Sequence, residues 1–205
     1  MGIYRERVLP RIVHVACATK TARPLRERVC AGLTGEVLEI GFGSGSNVEF
    51  YPPGVERVRA VEPSDLAWKL AGKRLAASSV PVERTGLDAQ TLPFPDDTFD
   101  TALTTWTMCT IPDPVAALRE VRRVLKPGGT LHFLEHGLAP DPDVQKWQRR
   151  LNPLERRAFG GCELTRPIVD LIRSAGFTVK ELDQFYEKGA PRFIAADSLG
   201  TAVRG

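Results

Sequence analysis

Short apolar runs alternate along the chain with segments whose apolar residues return every three or four positions. That alternation predicts βαβ units around a mostly parallel sheet. Five runs come first: EVLEI (36–40), RVRAVE (57–62), PVERTG (81–86), DTALTTW (100–106) and TLHFLEH (130–136). Two more, TVKELDQF and RFIAADSLGTAVR, close the chain as a pair and bring the expected sheet to seven strands. Residues 6–32 read as an N-terminal helix interrupted near Pro24. The best-defined helix spans 114–125. Asp113 offers its N-cap, Pro114 suits the first position, and Val115, Leu118, Val121, Val124 and Leu125 share one face. KPGG (126–129) stops it, because a helix does not easily pass a proline and two glycines.

Residues 138–165, with their prolines, arginines and isolated aromatics, interrupt the alternation and read as an inserted helical cap. RPIVDLIRSAGF (166–177) reads as a helix ended by Gly176. The expectation is an α/β protein: a seven-stranded, mostly parallel sheet with helices on both faces, an N-terminal helix and a small helical cap. One domain of residues 1–205 then divides into an N-terminal helical segment (1–34), a ligand-binding core (35–137), the cap (138–165) and a closing helix with strands (166–205).

Composition narrows the class. A chain of 205 residues is long enough to bury a full core as one domain. Its net charge of +3 argues for no polyanionic partner, and no nucleic-acid contact is expected. Residues 1–28 hold seven basic and two acidic side chains, read as a solvated helix face. No run approaches the ~20 apolar residues of a membrane span, so any membrane contact is expected to be peripheral. The start lacks an apolar signal core. The four cysteines (Cys17, Cys30, Cys109, Cys162) form no C-x-x-C pair, which predicts reduced thiols and a cytoplasmic location.

His132-Phe-Leu-Glu135-His136 matches the H-x-x-E-H pattern of one class of zinc proteases. The segment follows a helix stop, however, and reads as a buried strand. Four residues at ~3.3 Å each separate the histidines by about 13 Å. Imidazoles that far apart cannot share a zinc whose Zn–N bonds are ~2 Å. No metal site is expected there.

The strongest chemical signal is VLEIGFGSGSN (37–47), a strand that runs into Gly41, Gly43 and Gly45. Glycines here allow positive φ and let a ligand approach the backbone. The dinucleotide fingerprint G-x-G-x-x-G requires glycine at 46, where this chain has Ser46. Glu39 puts a carboxylate beside the loop, which repels a pyrophosphate and favours a cation. Glu62 ends the second run, 19 residues after Gly43 (62 − 43), where an acid accepts hydrogen bonds from ribose hydroxyls. A nucleoside that carries a sulfonium and an ammonium, S-adenosylmethionine, fits this set better than a nicotinamide dinucleotide.

The order VLEIGFGSGSN, VEPS, DAQTLPFPDDTFD, ALREVRRVLKPGGTLHFLEH resembles the class I, Rossmann-like S-adenosylmethionine-dependent methyltransferases. It is most similar to their small-molecule branch with the ubiquinone/menaquinone-type enzymes. The later WQRRLNPLERRAFGGCELTRP is similar to the thiol methyltransferases of the methyltransferase-like 7 group. The resemblance implies a Rossmann-like fold and S-adenosylmethionine as cofactor. Gly41, Phe42, Gly43 and Gly45 would line its methionine part, Glu62 and Pro63 its ribose, Asp88 and Ala89 its adenine, and Thr105 and Trp106 its methionine end. Asn/Asp-Pro-Pro-aromatic, used by nucleobase amino methyltransferases, is replaced here by Thr105-Trp106-Thr107-Met108.

The implied partner is a small, apolar methyl acceptor. A thiol is favoured, a quinone precursor or other carbon or oxygen acceptor is the alternative, and a non-catalytic cofactor-binding module is a further one. His136, at the end of the fifth run, is the candidate base or substrate-orienting group. Cys109, Trp147 and Arg166 are candidate substrate contacts beside it, with Leu151 and Phe159 as cap residues, and Tyr4 is a candidate closure over the cofactor.

Overall fold

The apolar runs pair because neither face of most of them can meet water. They form β1 (Gly35–Ile40), β2 (Val55–Val61), β3 (Val82–Gly86), β4 (Phe99–Thr105), β5 (Leu125–His136), β6 (Phe177–Tyr186) and β7 (Ala196–Arg204). The structure, a computed structural model, describes all residues except 1, 3 and 87, and the side chain of Arg5 is likewise outside the described set. The strands make one sheet in the order β3-β2-β1-β4-β5-β7-β6. β1 to β5 pair in parallel, whereas β7 runs antiparallel to both β5 and β6.

Among the described residues, eight further elements flank the sheet or bridge it, counting one short turn of 3-10 helix at Val48–Phe50. They include α1 (Leu9–Ala16), α2 (Ala22–Cys30), α3 (Asp65–Leu70), α4 (Gly72–Ala76), α5 (Pro114–Val124), α6 (Pro142–Ala158) and α7 (Ile168–Ser174). A further turn over Tyr4–Val8 leads into α1. On one face of the sheet, Leu38, Ile40, Leu131 and Phe133 pack with Leu118 and Val121 of α5 and Ile172 of α7. On the other, Val37, Leu103 and Leu134 pack with Val29, Cys30 and Leu33 from α2 and its exit. Burial on both faces is what a continuous apolar run predicts for a central parallel strand.

Among the boundaries that differ from the sequence reading, two have a clear local cause. The break in the N-terminal helix falls at residues 17–21, not near Pro24. Pro24 is the third residue of α2, and a first-turn proline lacks only an N–H that the helix does not use. The second difference follows α5. Asp113 caps it by accepting from Ala116 N at 2.9 Å, and the helix stops at Val124, one residue before the expected end at Leu125. KPGG, however, is already the bulged start of β5, since Phe99 pairs with Leu125 and Thr101 with Thr130. Gly128 takes φ +77° inside that bulge. No helix among the described residues is long and apolar enough to cross a membrane.

Candidate active site

Parallel strands end together, so the carboxyl ends of β1, β2 and β4 face one crevice. A cavity of about 400 Å³ opens there, a size within the usual range for small-molecule sites. Its wall includes Gly41, Phe42, Gly43, Glu62 and Pro63 from the first two strand ends, and Asp88, Ala89, Thr105 and Trp106 from beyond β3 and β4. Those sequence-predicted residues are brought together. Gly45 and Glu39 are not on the wall.

Gly41 shows why the loop starts with glycine. Its φ is +71°, and a Cβ there would lie 2.1 Å from Thr107 Oγ1. Gly43 also has positive φ, +59°, but a Cβ on it would meet nothing closer than Gly41 O at 3.9 Å. Its side faces open space, and its N–H donates to Glu62 Oε2 at 2.7 Å. The other Glu62 oxygen accepts from Ser64 N at 2.7 Å. Glu62 therefore ties the glycine loop to the β2 exit while its carboxylate borders the cavity. Burial raises its pKa, against the pull of these two amides. Gly45 instead packs inward, against Phe42, Val48 and Ala71, and its role is to let the loop fold tightly.

Glu39 turns the opposite way from the expectation. On a strand buried on both faces it is 1% exposed, and its carboxylate is taken up by Asn47 Nδ2 at 2.9 Å and by the Tyr51 hydroxyl. Asn47 passes the connection on. Its Oδ1 accepts from Arg26 Nη1 at 2.6 Å, and its Nδ2 also reaches Thr105 Oγ1 at 3.1 Å. Arg26, from α2, is 4% exposed, borders the cavity and lies 4.7 Å over the Trp106 ring. Its Nε is a buried donor with no partner among the described residues. Glu39 is thus linked to the cavity through Asn47 and Arg26 and does not border it itself.

Burial drives Glu39 from the ordinary 4.5 up to about 7, against the pull of Tyr51, Asn47 and Arg26. The native chain then holds a proton that the unfolded chain releases. That stability is full below 4.5 and is lost as pH rises through about 7. Glu135 and Asp197, at about 7 and about 6, act in the same sense. Denaturant titrations are expected to show lower stability at about pH 8 than at about pH 5. Glu39→Gln should reduce that difference by roughly 1–3 kcal/mol. A difference that survives the substitution would assign the titration to other groups.

The loop after β4 is held from beneath. Trp106 has φ +49°, a left-handed conformation rare for a bulky residue. Its N–H bonds Leu134 O at 2.8 Å, and its ring Nε1 donates to Asp197 at 3.2 Å. Glu135, fully buried, accepts from Thr104 Oγ1 at 2.6 Å, Thr107 N at 2.8 Å and Met108 N at 3.0 Å. The acid of the H-x-x-E-H pattern therefore serves as an anchor for this loop.

Residues 38–133 match the family described as methyltransferase domain. The chain is 32% identical over 180 residues to thiol S-methyltransferase TMT1A of Homo sapiens, which covers 85% of this chain and 73% of that protein. The chain belongs to the methyltransferase family. It is also 35% identical over 158 residues to thiol S-methyltransferase TMT1B of Rattus norvegicus, covering 74% of this chain and 64% of that protein. That match spans somewhat under two thirds of the rat protein's length. A SAM-dependent methyltransferase structure from Aquifex aeolicus superposes with a TM-score of 0.65 at 17% identity, covering 96% and 98% of the two chains, and shows the shared fold.

Within this methyltransferase fold the acceptor-side expectations need correction. His136 does not border the cavity; its Nε2 lies 3.0 Å from Cys162 Sγ, behind the wall, so nothing in its placement supports a base acting on substrate. Cys109 is 2% exposed and also lies behind the wall. Arg166 spends its guanidinium on the carbonyls of Met108 and Ile111, fastening the loop. Trp147 faces out at 57% exposure under Arg150, because it lies on the outer side of α6. Leu151 does not reach the cavity either, whereas Phe159 does. Tyr4 bonds Ala158 O at 2.5 Å, which joins the N-terminal segment to the cap rather than to the cavity.

Among the cavity residues that the sequence reading did not single out are Arg26, His14 and Cys17. His14 Nδ1 lies 2.7 Å from Ser44 Oγ of the glycine loop. The available signal was the stripe Pro10, Val13/His14, Cys17 at helical spacing, all of which border the cavity. His132, by contrast, is taken up inside the fold, with Nδ1 3.0 Å from Val29 O.

Proposed function

We propose that the chain is an S-adenosylmethionine-dependent methyltransferase whose acceptor is a small apolar thiol. The observation that carries the cofactor assignment is the pairing of Glu62 and Arg26 across one glycine-floored cavity. The carboxylate suits ribose hydroxyls. The Arg26 guanidinium, which borders the cavity, suits the carboxylate of a methionine moiety, the single anionic group of this cofactor. Asp88 and Ala89, which border the same cavity, would meet the adenine edge. Bound there, S-adenosylmethionine supplies a methyl group on a cationic sulfur, already activated for in-line displacement.

The chain's own task is then to hold an acceptor about 3–3.5 Å from that carbon and to keep water away. Leu9, Pro10 and Val13 of α1, with Phe159 at the end of α6, border the cavity with apolar surface. Gly160, at φ +66°, lets the cap approach Leu9 more closely than any side chain would permit. A thiol of pKa ~8.5 is already partly ionised near neutrality and needs little help from a base. That accords with His136 lying behind the wall. The similarity to proteins named thiol S-methyltransferases supports the same acceptor.

Glu62→Ala is expected to weaken S-adenosylmethionine binding by roughly 1.5–3 kcal/mol, the range for hydrogen bonds to a charged group. Glu62→Gln should fall almost as far, because its NH₂ cannot accept from both Gly43 N and Ser64 N. Calorimetry decides it, and affinity equal to wild type would remove Glu62 from the site. The acceptor class is tested with a methyl-labelled donor and a panel of alkyl thiols, phenols and quinols. Label is expected in the thiols. Transfer to quinols or phenols alone would overturn the acceptor, and no transfer together with tight cofactor binding would leave a binding module.

A further inference from the structure

Behind the cavity wall lies a cluster that the proposed methyl transfer does not use. Cys109 comes from the loop between β4 and α5, His136 ends β5, and Cys162 belongs to the link between α6 and α7. Their ligand atoms, Sγ, imidazole N and Sγ, all lie within 4.8 Å of one another. Cys162 Sγ stands 3.0 Å from His136 Nε2. Neither cysteine is in a disulfide.

We propose that Cys109, His136 and Cys162 form a zinc site that clamps the cap to the loop after β4. Two thiolates and an imidazole are a preferred donor set for zinc, more so than for hard cations that take oxygen ligands. Tetrahedral zinc with Zn–S ~2.3 Å and Zn–N ~2.0 Å sets its ligand atoms about 3.3–3.8 Å apart. One observed separation, 3.0 Å, is slightly shorter than that spacing and none exceeds 4.8 Å, so binding asks only for small side-chain rotations. Two thiolates also neutralise the dication, which suits a buried position where an isolated charge is costly. A water completes the fourth position.

The backbone around the cluster is already fixed. Glu163 N donates to Cys109 O at 3.0 Å, which ties the residue after Cys162 directly to Cys109. Arg166 holds the carbonyls of Met108 and Ile111 on either side of Cys109. His136 is set by the pairing of β5 with β7, opposite Asp197. The three ligands therefore come from rigid elements and need little ordering when metal arrives. Phe159 and Gly160, two or three residues before Cys162, border the cavity, as do Thr107 and Thr110 on either side of Cys109. A metal here would hold both halves of that wall in register.

The test is independent of any acceptor. The full chain is purified without chelator and its zinc measured, then stripped under reducing conditions and titrated with Co²⁺. Expected are about one zinc per chain and a cobalt spectrum with a sulfur-to-cobalt charge-transfer band and the visible bands of tetrahedral cobalt. Cys109→Ser and Cys162→Ser should each lower the charge-transfer intensity by about half, the double variant should abolish it, and His136→Ala should weaken cobalt binding by on the order of ten- to a hundredfold. Zinc should raise the melting temperature of the wild type and not that of the double variant. The wild-type spectrum needs no variant to fold. Cobalt bound without the sulfur band, a band that persists in the double variant, or no metal uptake by the reduced chain would each overturn the proposal. A Cys109–Cys162 disulfide that forms in air while the reduced chain takes up no metal would overturn it in favour of a redox pair.

Discussion

Gly41→Ala is expected to abolish measurable binding of S-adenosylmethionine and to lower the melting temperature by roughly 5–15 °C. Two costs add. A non-glycine residue at φ +71° pays about 1–2 kcal/mol for the left-handed conformation. The new methyl would also lie 2.1 Å from Thr107 Oγ1 and 2.3 Å from its Cγ2, an overpacking worth about 1–3 kcal/mol where neighbours cannot yield. Here they cannot yield cheaply, because Thr107 N is held at 2.8 Å by the buried carboxylate of Glu135. Moving Thr107 breaks that contact and shifts the wall beside Trp106.

Gly43→Ala serves as the control. A Cβ there meets open space, so only the conformational cost applies to folding, while the methyl points at the region a ligand would occupy. Stability should fall by about 1–2 kcal/mol with affinity lost as completely. Equal melting temperatures for the two variants would show that Thr107 does not confine Gly41.

The fold was legible where the sequence pattern and the burial agree. Seven runs of apolar residues became seven strands, and Asp113-Pro114 marked the start of α5 to the residue. The meeting of the glycine loop and Glu62 at one cavity was legible too, because it depends on spacing along the chain and not on distant contacts. The H-x-x-E-H match was resolved by the same means, since a helix stop precedes it. What stayed hidden depends on contacts between elements far apart in sequence. Arg26 looked like one more basic residue in a charged N-terminal segment, and only its packing against Asn47 and Trp106 marks it as buried. Glu39 was read correctly as an acid beside the loop, yet a strand covered on both faces turned its side chain toward Asn47 and Tyr51. Cys109, His136 and Cys162 are separated by 27 and 26 residues (136 − 109 and 162 − 136), so no local motif announces them. The helix break at 17–21 carries neither glycine nor proline, and the nearby Pro24 drew the boundary to the wrong place.

Arg26→Met should cost more than any other single change to the cavity's polar side. The guanidinium donates to Asn47 Oδ1 at 2.6 Å, Thr105 Oγ1 at 3.3 Å and Cys17 O at 3.0 Å. Methionine fills similar space, so the loss is of charge and donors, not volume. Asn47 and Cys17 keep acceptors with nothing to bond, and Glu39 loses the cation that offsets its burial. Removing one member of such a buried ionic set typically costs about 3–5 kcal/mol. The functional part of the effect can be separated from the structural part with an analogue of the cofactor that lacks its carboxylate. Wild-type protein should prefer S-adenosylmethionine over that analogue by roughly 1.5–3 kcal/mol, and in Arg26→Met the preference should shrink toward zero even though both ligands bind less well. Arg26→Lys should recover part of the stability through its charge but little of the preference, since an ammonium cannot present the guanidinium's fixed fork of donors. A variant that loses stability yet keeps the full preference for the carboxylate would show that Arg26 only supports the wall, and that the anionic end of the ligand is held by another group.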